Sequence, residues 1–185
     1  MATFPRRTFL VGLGATGLLA ACENGINSTG GATIDARVDA TLNELYAQYP
    51  GTATLRDKSV GQLVMPLITE AGLGIGGSYG RGALRVGGVT VDYYSSAQAS
   101  FGIQIGAQQY AHVLFFMTEK ALQDFRTSPG WAAGADVAYA VANQGEALKA
   151  ETTTSLSPVI AVIFGQAGLR AGATIKGTKY SRIIP

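Results

Sequence analysis

The stretch Ala71–Val86, which organises the rest of the chain, reads Ala-Gly-Leu-Gly-Ile-Gly-Gly-Ser-Tyr-Gly-Arg-Gly-Ala-Leu-Arg-Val. With the two-residue period of a β-strand, one face carries only small residues, namely Gly72, Gly74, Gly76, Ser78, Gly80 and Gly82. Ordering many glycines costs conformational entropy, so the pattern predicts that another body packs closely against this bare face. That body is a second layer of sheet, a helix, or the apolar part of a ligand.

The segments around this stretch predict a small α+β domain. Gly87-Gly88 is typical of a hairpin turn. Thr33 is predicted to cap a first helix that Pro50 ends, and Thr118 to cap a crossover helix. The other predicted elements are a short helix over 53–60 and extended segments over 62–68, 89–94, 100–117, 131–142, 158–164 and 169–175. We expect a strongly curved or barrel-like antiparallel sheet of about seven strands, with N-terminal helices and one crossover helix.

The N-terminus has the pattern of an export signal. A twin-arginine pair, Arg6-Arg7, precedes an apolar run that ends in Leu19-Ala20-Ala21-Cys22. The last four residues resemble the bacterial lipobox, in which the cysteine becomes the acylated N-terminus. Cys22 is also the only cysteine in the chain. The predicted organisation is a signal peptide over 1–21, a lipidated Cys22 with a flexible tether over 22–32, and a domain over 33–185.

Charge and location follow from this organisation. Without Arg6 and Arg7 the 14 basic side chains fall to 12, which equals the 12 acidic ones. A neutral mature chain argues against nucleic-acid binding. We expect the protein at the bacterial cell envelope, held by its lipid on the periplasmic face. Glu23, which is not an aspartate, favours the outer over the inner membrane.

The sequence offers little material for catalysis or for a cofactor. Gly72-x-Gly74-x-x-Gly77 matches a dinucleotide fingerprint, but the glycines that follow exclude the helix such a site requires. His112 is the single histidine, and a structural role is predicted for it. We therefore expect no enzyme activity, no cofactor and no metal. Trp131 is interpreted as a core anchor, with the rim of a lipid site as the alternative.

Several motifs together resemble the SYLF (Ysc84-type) domain over about residues 54–180. They are Val64-Met65-Pro66, the glycine stretch from Ala71 to Leu84, Phe101–Gln108, Gly134-Ala135-Asp136 and Gly168-Leu169-x-Ala171-Gly172. The resemblance implies lipid binding, and bacterial members are often envelope lipoproteins. Eukaryotic members also bind phosphoinositides and actin filaments. This chain has Gly145-Glu146 where they often have Gly-Arg, and it lacks their basic front helix, so neither activity is carried over.

The leading hypothesis is a membrane-anchored, non-catalytic module that binds phospholipid. Its candidate headgroup ligands are basic: Arg81, Arg85, Arg170, Lys176, Lys179 and Arg182. Acyl chains would lie on the bare glycine face around Gly74, Gly76 and Gly80. The alternative for the cations is ordinary surface charge. The alternative for the protein is a structural or adaptor lipoprotein that binds another envelope protein.

Replacement of Cys22 by alanine tests the anchor. Acyl chains contribute about 0.8 kcal/mol of membrane affinity per buried methylene, so their loss releases the protein. We expect Cys22→Ala to give an uncleaved or soluble species in membrane fractionation, whereas the wild-type chain, which keeps its acylation site, sediments with membranes. A variant that still fractionates tightly with membranes after a salt wash would contradict lipidation.

Overall fold

The computed structural model describes residues 28–134, 137–139, 157–165, 168–169 and 175–185. The predicted export signal and lipidation site, Arg6, Arg7 and Cys22, lie outside the described residues, as does the candidate cation Arg170. The described part is an α+β domain, which confirms the predicted class.

The helices and strands alternate little along the chain. The helices are α1 (Gly30–Gln48), α2 (Ala53–Lys58) and α3 (Glu119–Thr127), with a 3₁₀ turn over Pro50–Thr52. The strands are β1 (Gly61–Val86), β2 (Val89–Phe116), β3 (Trp131–Ala132), β4 (Val137–Tyr139), β5 (Val159–Gly165), β6 (Gly168–Leu169) and β7 (Lys179–Ile183). In the sheet the order is β3-β7-β2-β5-β4, with β1 on β2 and β6 on β5.

A long antiparallel ribbon of β1 and β2 forms the body of the sheet. Its turn is Gly87-Gly88, as predicted, and both glycines have positive φ, 59° and 81°. The far edge of β2 carries β7 beside residues 93–97 and β5 beside residues 111–116. Strands β5 and β7 therefore both pair directly with this ribbon.

The bare glycine face is covered by the first part of its own strand. A Cβ on Gly82 would overlap the carbonyl oxygen of Val64 and lie 2.6 Å from the sulfur of Met65. A Cβ on Gly80 would overlap Ile68 and lie 2.5 Å from the carbonyl oxygen of Leu67. The pairing with β2 shifts register between Met65 and Ile68, at Pro66-Leu67. Of the three predicted covering bodies, a second layer of sheet is the one found here.

Two apolar clusters pack on the two faces of the curled sheet. The inner face, with Leu63, Met65, Leu84 and Phe116, is covered by α3 through Leu122 and Phe125. Phe125 lies at the centre of an aromatic group, with ring centroids 4.7 Å from Tyr94, 5.0 Å from Phe116 and 5.4 Å from Trp131. Trp131 is partly buried and packs against this core, which agrees with its interpretation as a core anchor. The outer face is covered by the predicted stripe of α1, in which Ile34, Val38, Leu45 and Tyr49 are buried.

Four details differ from the prediction. Helix α1 begins at Gly30, inside the predicted tether, and Thr33 does not cap it but donates to the carbonyl of Thr29 at 3.0 Å. The predicted strand over 131–142 is two short strands, β3 and β4, in the described residues. Strand β4 runs parallel to β5, so the sheet is mixed rather than wholly antiparallel. Strand β7 was not predicted.

The cap at Thr118 is confirmed, since its hydroxyl accepts from the amide of Ala121 at 3.2 Å.

Alanine at Gly82 tests the self-packing of β1. Because its Cβ would overlap the backbone of Val64, the two halves of the strand must separate, and we expect a loss of about 1–3 kcal/mol in the free energy of unfolding. Gly134→Ala is the matched control, since no atom of the described residues lies within 4 Å of a Cβ there. Urea denaturation measures both. Equal stability of the two variants would contradict this packing.

Candidate functional site

The predicted cation Arg85 is held by two carboxylates of α1. Its side chain is only 15% exposed, donates to the carboxylate of Asp39 at 2.8 Å and lies 3.7 Å from that of Asp35. Asp35 also accepts from Thr90 at 2.7 Å and Tyr93 at 2.8 Å. Arg85 therefore helps fix α1 to the ribbon and is poorly placed to bind a headgroup.

Arg182 is also in an ion pair. Its guanidinium lies 3.3 Å from the carboxylate of Asp92 and donates to the carbonyl of Arg126 at 3.1 Å. The same carboxylate lies 3.4 Å from the guanidinium of Arg126. The neighbouring Tyr94 hydroxyl and the charge of Asp92 raise the pKa of Arg182. This residue faces α3, on the opposite side of the sheet from Arg81.

The other predicted cations within the described residues are all exposed, and together with two apolar side chains they define what we call the distal strip. It comprises Ile75, Tyr79 and Arg81 of β1, Lys179 of β7 and Lys176 before β7. Tyr79 and Lys179 are both paired with Ala97, and paired residues share a face of the sheet. Ile75, Tyr79 and Arg81 alternate along β1 with no register shift between them. The strip thus combines two apolar side chains, 73% and 55% exposed, with three exposed cations.

Local contacts hold the lysines of the strip in place. Gln98 donates to the carbonyl of Lys176 at 3.1 Å and accepts from the hydroxyl of Thr178 at 3.1 Å, which ties the turn before β7 to β2. A Cβ on Gly130 would lie 2.6 Å from Cε of Lys179, so the lysine stem crosses this backbone closely. The backbone at both lysines is therefore fixed against β2.

The glycines predicted to receive acyl chains do not form one open surface. The inner side of Gly80 is filled by Leu67 and Ile68, so an acyl chain has no room there. Gly76 is half-buried, and a Cβ on Gly72 would lie 2.6 Å from its Cα, which places a tight bend at this point of the ribbon. Gly74 pairs with Gly102 in the same bend. The predicted acyl surface is wrong at Gly80 for this steric reason.

Two cavities flank α1 in the described part of the chain. The larger, of about 290 Å³, lies between α1, the end of α2 and the hairpin turn, and its charged lining is Asp39, Arg56 and Arg85. Arg56 pairs with Asp57 at 2.9 Å and its guanidinium carbon lies 5.0 Å from the ring centre of Tyr46. The smaller, of about 100 Å³, lies beside the bulge at Pro66 and Leu67. Both arginines of the larger cavity are therefore already paired with carboxylates, Arg56 with Asp57 and Arg85 with Asp39.

His112 has the predicted structural role. It is 1% exposed on the inner face, and its Nε2 lies 2.8 Å from the hydroxyl of Tyr180. Burial lowers the pKa of His112 to about 3, so the ring is neutral near pH 7. Within the described residues, no group of three or more His, Cys, Asp or Glu side chains is placed to hold a metal ion.

None of the described helices combines the length and apolarity needed to cross a membrane.

Residues 97–182 match the family model described as Ysc84, Las17-binding protein actin regulator. This range runs from the middle of β2 into β7 and confirms the predicted SYLF resemblance. Proteins with such domains are associated with lipid and protein binding. A search of the curated proteins found no match to the chain.

The titration of His112 predicts a pH dependence of stability. Below pH 6.5 the unfolded chain binds a proton on this imidazole, whereas the folded chain does not until about pH 3. From pH 6.5 downward the free energy of unfolding should therefore lose up to about 1.4 kcal/mol per pH unit through this group. Denaturation of His112→Gln between pH 7 and pH 4 should show a shallower slope than the unmodified chain. Parallel slopes would contradict this assignment.

Proposed function

Because the chain carries a SYLF domain of the Ysc84 family, we propose that it is a membrane-anchored, non-catalytic lipid-binding lipoprotein of the bacterial cell envelope. Its lipid anchor is Cys22, its export signal includes Arg6 and Arg7, and it resides on the periplasmic face of the outer membrane. The observation that carries the lipid-binding part is the distal strip, where exposed apolar side chains lie among exposed cations.

The chemistry of the strip suits the surface of an anionic bilayer. Tyr79 is an amphipathic ring of the kind that lies at headgroup level, and Ile75 supplies apolar surface that water solvates poorly. Each basic residue near an anionic surface contributes about 1 kcal/mol. Arg81, Lys176 and Lys179 together therefore give weak binding, which the screening length of about 8 Å at physiological salt reduces with distance.

Weak binding is sufficient for an anchored domain. A tether holds the strip at an effective concentration in about the millimolar range near the bilayer, so a contact of modest affinity stays occupied. The neutral charge of the mature chain fits this arrangement, because attraction then comes from one local surface and not from the whole domain. The larger cavity beside α1 is the weaker lipid candidate, since its arginines are paired with Asp39 and Asp57.

Charge reversal on the strip tests the proposal. The full chain carrying Cys22→Ala, which lacks the acylation site, is mixed with vesicles containing phosphatidylglycerol, and flotation is compared with and without Arg81→Glu/Lys179→Glu. Loss of two attractive contacts should weaken binding by about 2 kcal/mol or more, about 30-fold. Higher salt should weaken the parent chain in the same direction.

The matched control is Arg37→Glu/Lys58→Glu, which changes the net charge equally at exposed positions outside the strip. We expect this variant to lose much less binding than the strip variant. Equal losses of vesicle binding in the two variants would mean that binding depends on net charge alone and would exclude the strip as the lipid site. Absence of flotation by the parent chain on any anionic vesicle would reject lipid binding and favour the adaptor alternative.

A further inference from the structure

A second group of exposed apolar side chains lies at the turn end of the ribbon. Val89 is 65%, Val91 39% and Ile184 71% exposed, although the sheet buries nearly all other large apolar residues near them. We call these three residues the turn-end patch. They lie beside the turn, whereas Ile75 of the distal strip pairs with Phe101 near the middle of the ribbon.

Strand pairing brings the patch together from distant parts of the sequence. Ile183 pairs with Tyr93, so Ile184 continues alongside Asp92. Val89 follows the hairpin turn directly and pairs with Val86. Arg126 and Arg182 share the single carboxylate of Asp92, which leaves one excess positive charge beside the apolar residues. The patch is therefore apolar with a cationic rim.

The chain enters the domain at the same place. The hydroxyl of Ser28 donates to the carbonyl of Pro185 at 2.6 Å. A Cβ on Gly30 would lie 2.8 Å from the carbonyl carbon of Pro185, and one on Gly31 would lie 2.9 Å from the hydroxyl of Tyr93. The first residues of α1 are therefore fixed against the last residues of the chain, next to Ile184.

Chain length limits how far this entry point can lie from the predicted anchor. Ser28 is six positions after Cys22, and six residues of fully extended chain span at most about 22 Å. The bilayer that holds the acyl chains is thus within reach of the patch without any rearrangement of the domain.

We propose that the turn-end patch rests on the anchoring bilayer and sets the orientation of the domain on it, with Val89 and Ile184 entering the headgroup region and Arg126 and Arg182 meeting lipid phosphates. This inference rests on the proposed anchoring at Cys22, but it does not depend on lipid binding by the distal strip. Apolar side chains with a cationic rim match the layered chemistry of a bilayer surface, in which acyl chains lie beneath phosphates.

Depth-dependent fluorescence quenching tests the orientation. The acylated full chain is reconstituted in phosphatidylcholine vesicles that contain a nitroxide-labelled lipid, with one reporter fluorophore on Ile184→Cys. Ile75→Cys is the matched control, because it replaces the same residue type at nearly the same exposure, 73% against 71%. Acylation occupies Cys22, the only native cysteine, so each variant offers one thiol for labelling. Neutral vesicles remove the charge attraction that engages the distal strip.

We expect the fluorophore at position 184 to be quenched at least threefold more than the one at position 75. Equal quenching at the two positions, or stronger quenching at 75, would overturn the orientation. A chain that labels at two sites or fails to remain with the vesicles would refute the anchoring premise, and with it this inference. Addition of phosphatidylglycerol should raise quenching at position 75 only if the distal strip binds lipid, so the two proposals fail separately.

Discussion

Close packing of one stretch of backbone on another within β1 determines how the sheet curls and where its core lies. Val64 and Leu67 approach Gly82 and Gly80 so closely that a single methyl group would not fit. This contact allows a strand of 26 residues to cover its own inner face. The two halves then bury Leu63, Met65, Ile68 and Leu84 in one cluster beneath α3. Ordering these glycines costs conformational entropy, but their lack of a side chain allows the two halves of β1 to enclose the core.

The curled ribbon also decides which surfaces remain exposed. Its outer face is covered by α1 near the turn, and Arg85 joins this helix through Asp35 and Asp39. Further along the same face α1 no longer covers the sheet, and Tyr79, Arg81 and Lys179 stay exposed there. Arg81 and Arg85 share a strand and a face in sequence, yet Arg85 pairs with carboxylates of α1 and is half-buried, whereas Arg81 is exposed.

The sequence was sufficient to predict features set by local chemistry. The α+β class, the Gly87-Gly88 turn, the stripe of α1 on the sheet and the cap at Thr118 follow from spacing, turn residues and capping preferences. The bare glycine face also indicated close packing correctly. Its covering body could not be identified, because each of the three candidates requires the same small residues.

Features set by distant partners were not predictable. Arg85 looked like a surface cation because its partner Asp39 lies 46 positions earlier. Strand β7 has only five residues with a charge at two of them, and its place between β2 and β3 depends on long-range pairing. The sequence showed the distal strip only as separate cations. Tyr79 and Lys179 lie on either side of Ala97 in neighbouring strands, and this register depends on long-range pairing.

A residue-resolved NMR titration of the Cys22→Ala chain with bicelles containing phosphatidylglycerol locates the surface of the domain that contacts lipid. If the distal strip is the lipid contact, the largest amide shift changes will fall in residues 75–81 and 176–179. Changes that centre instead on the cavity lined by Arg56 and Arg85, or that spread evenly over the domain, would contradict the account.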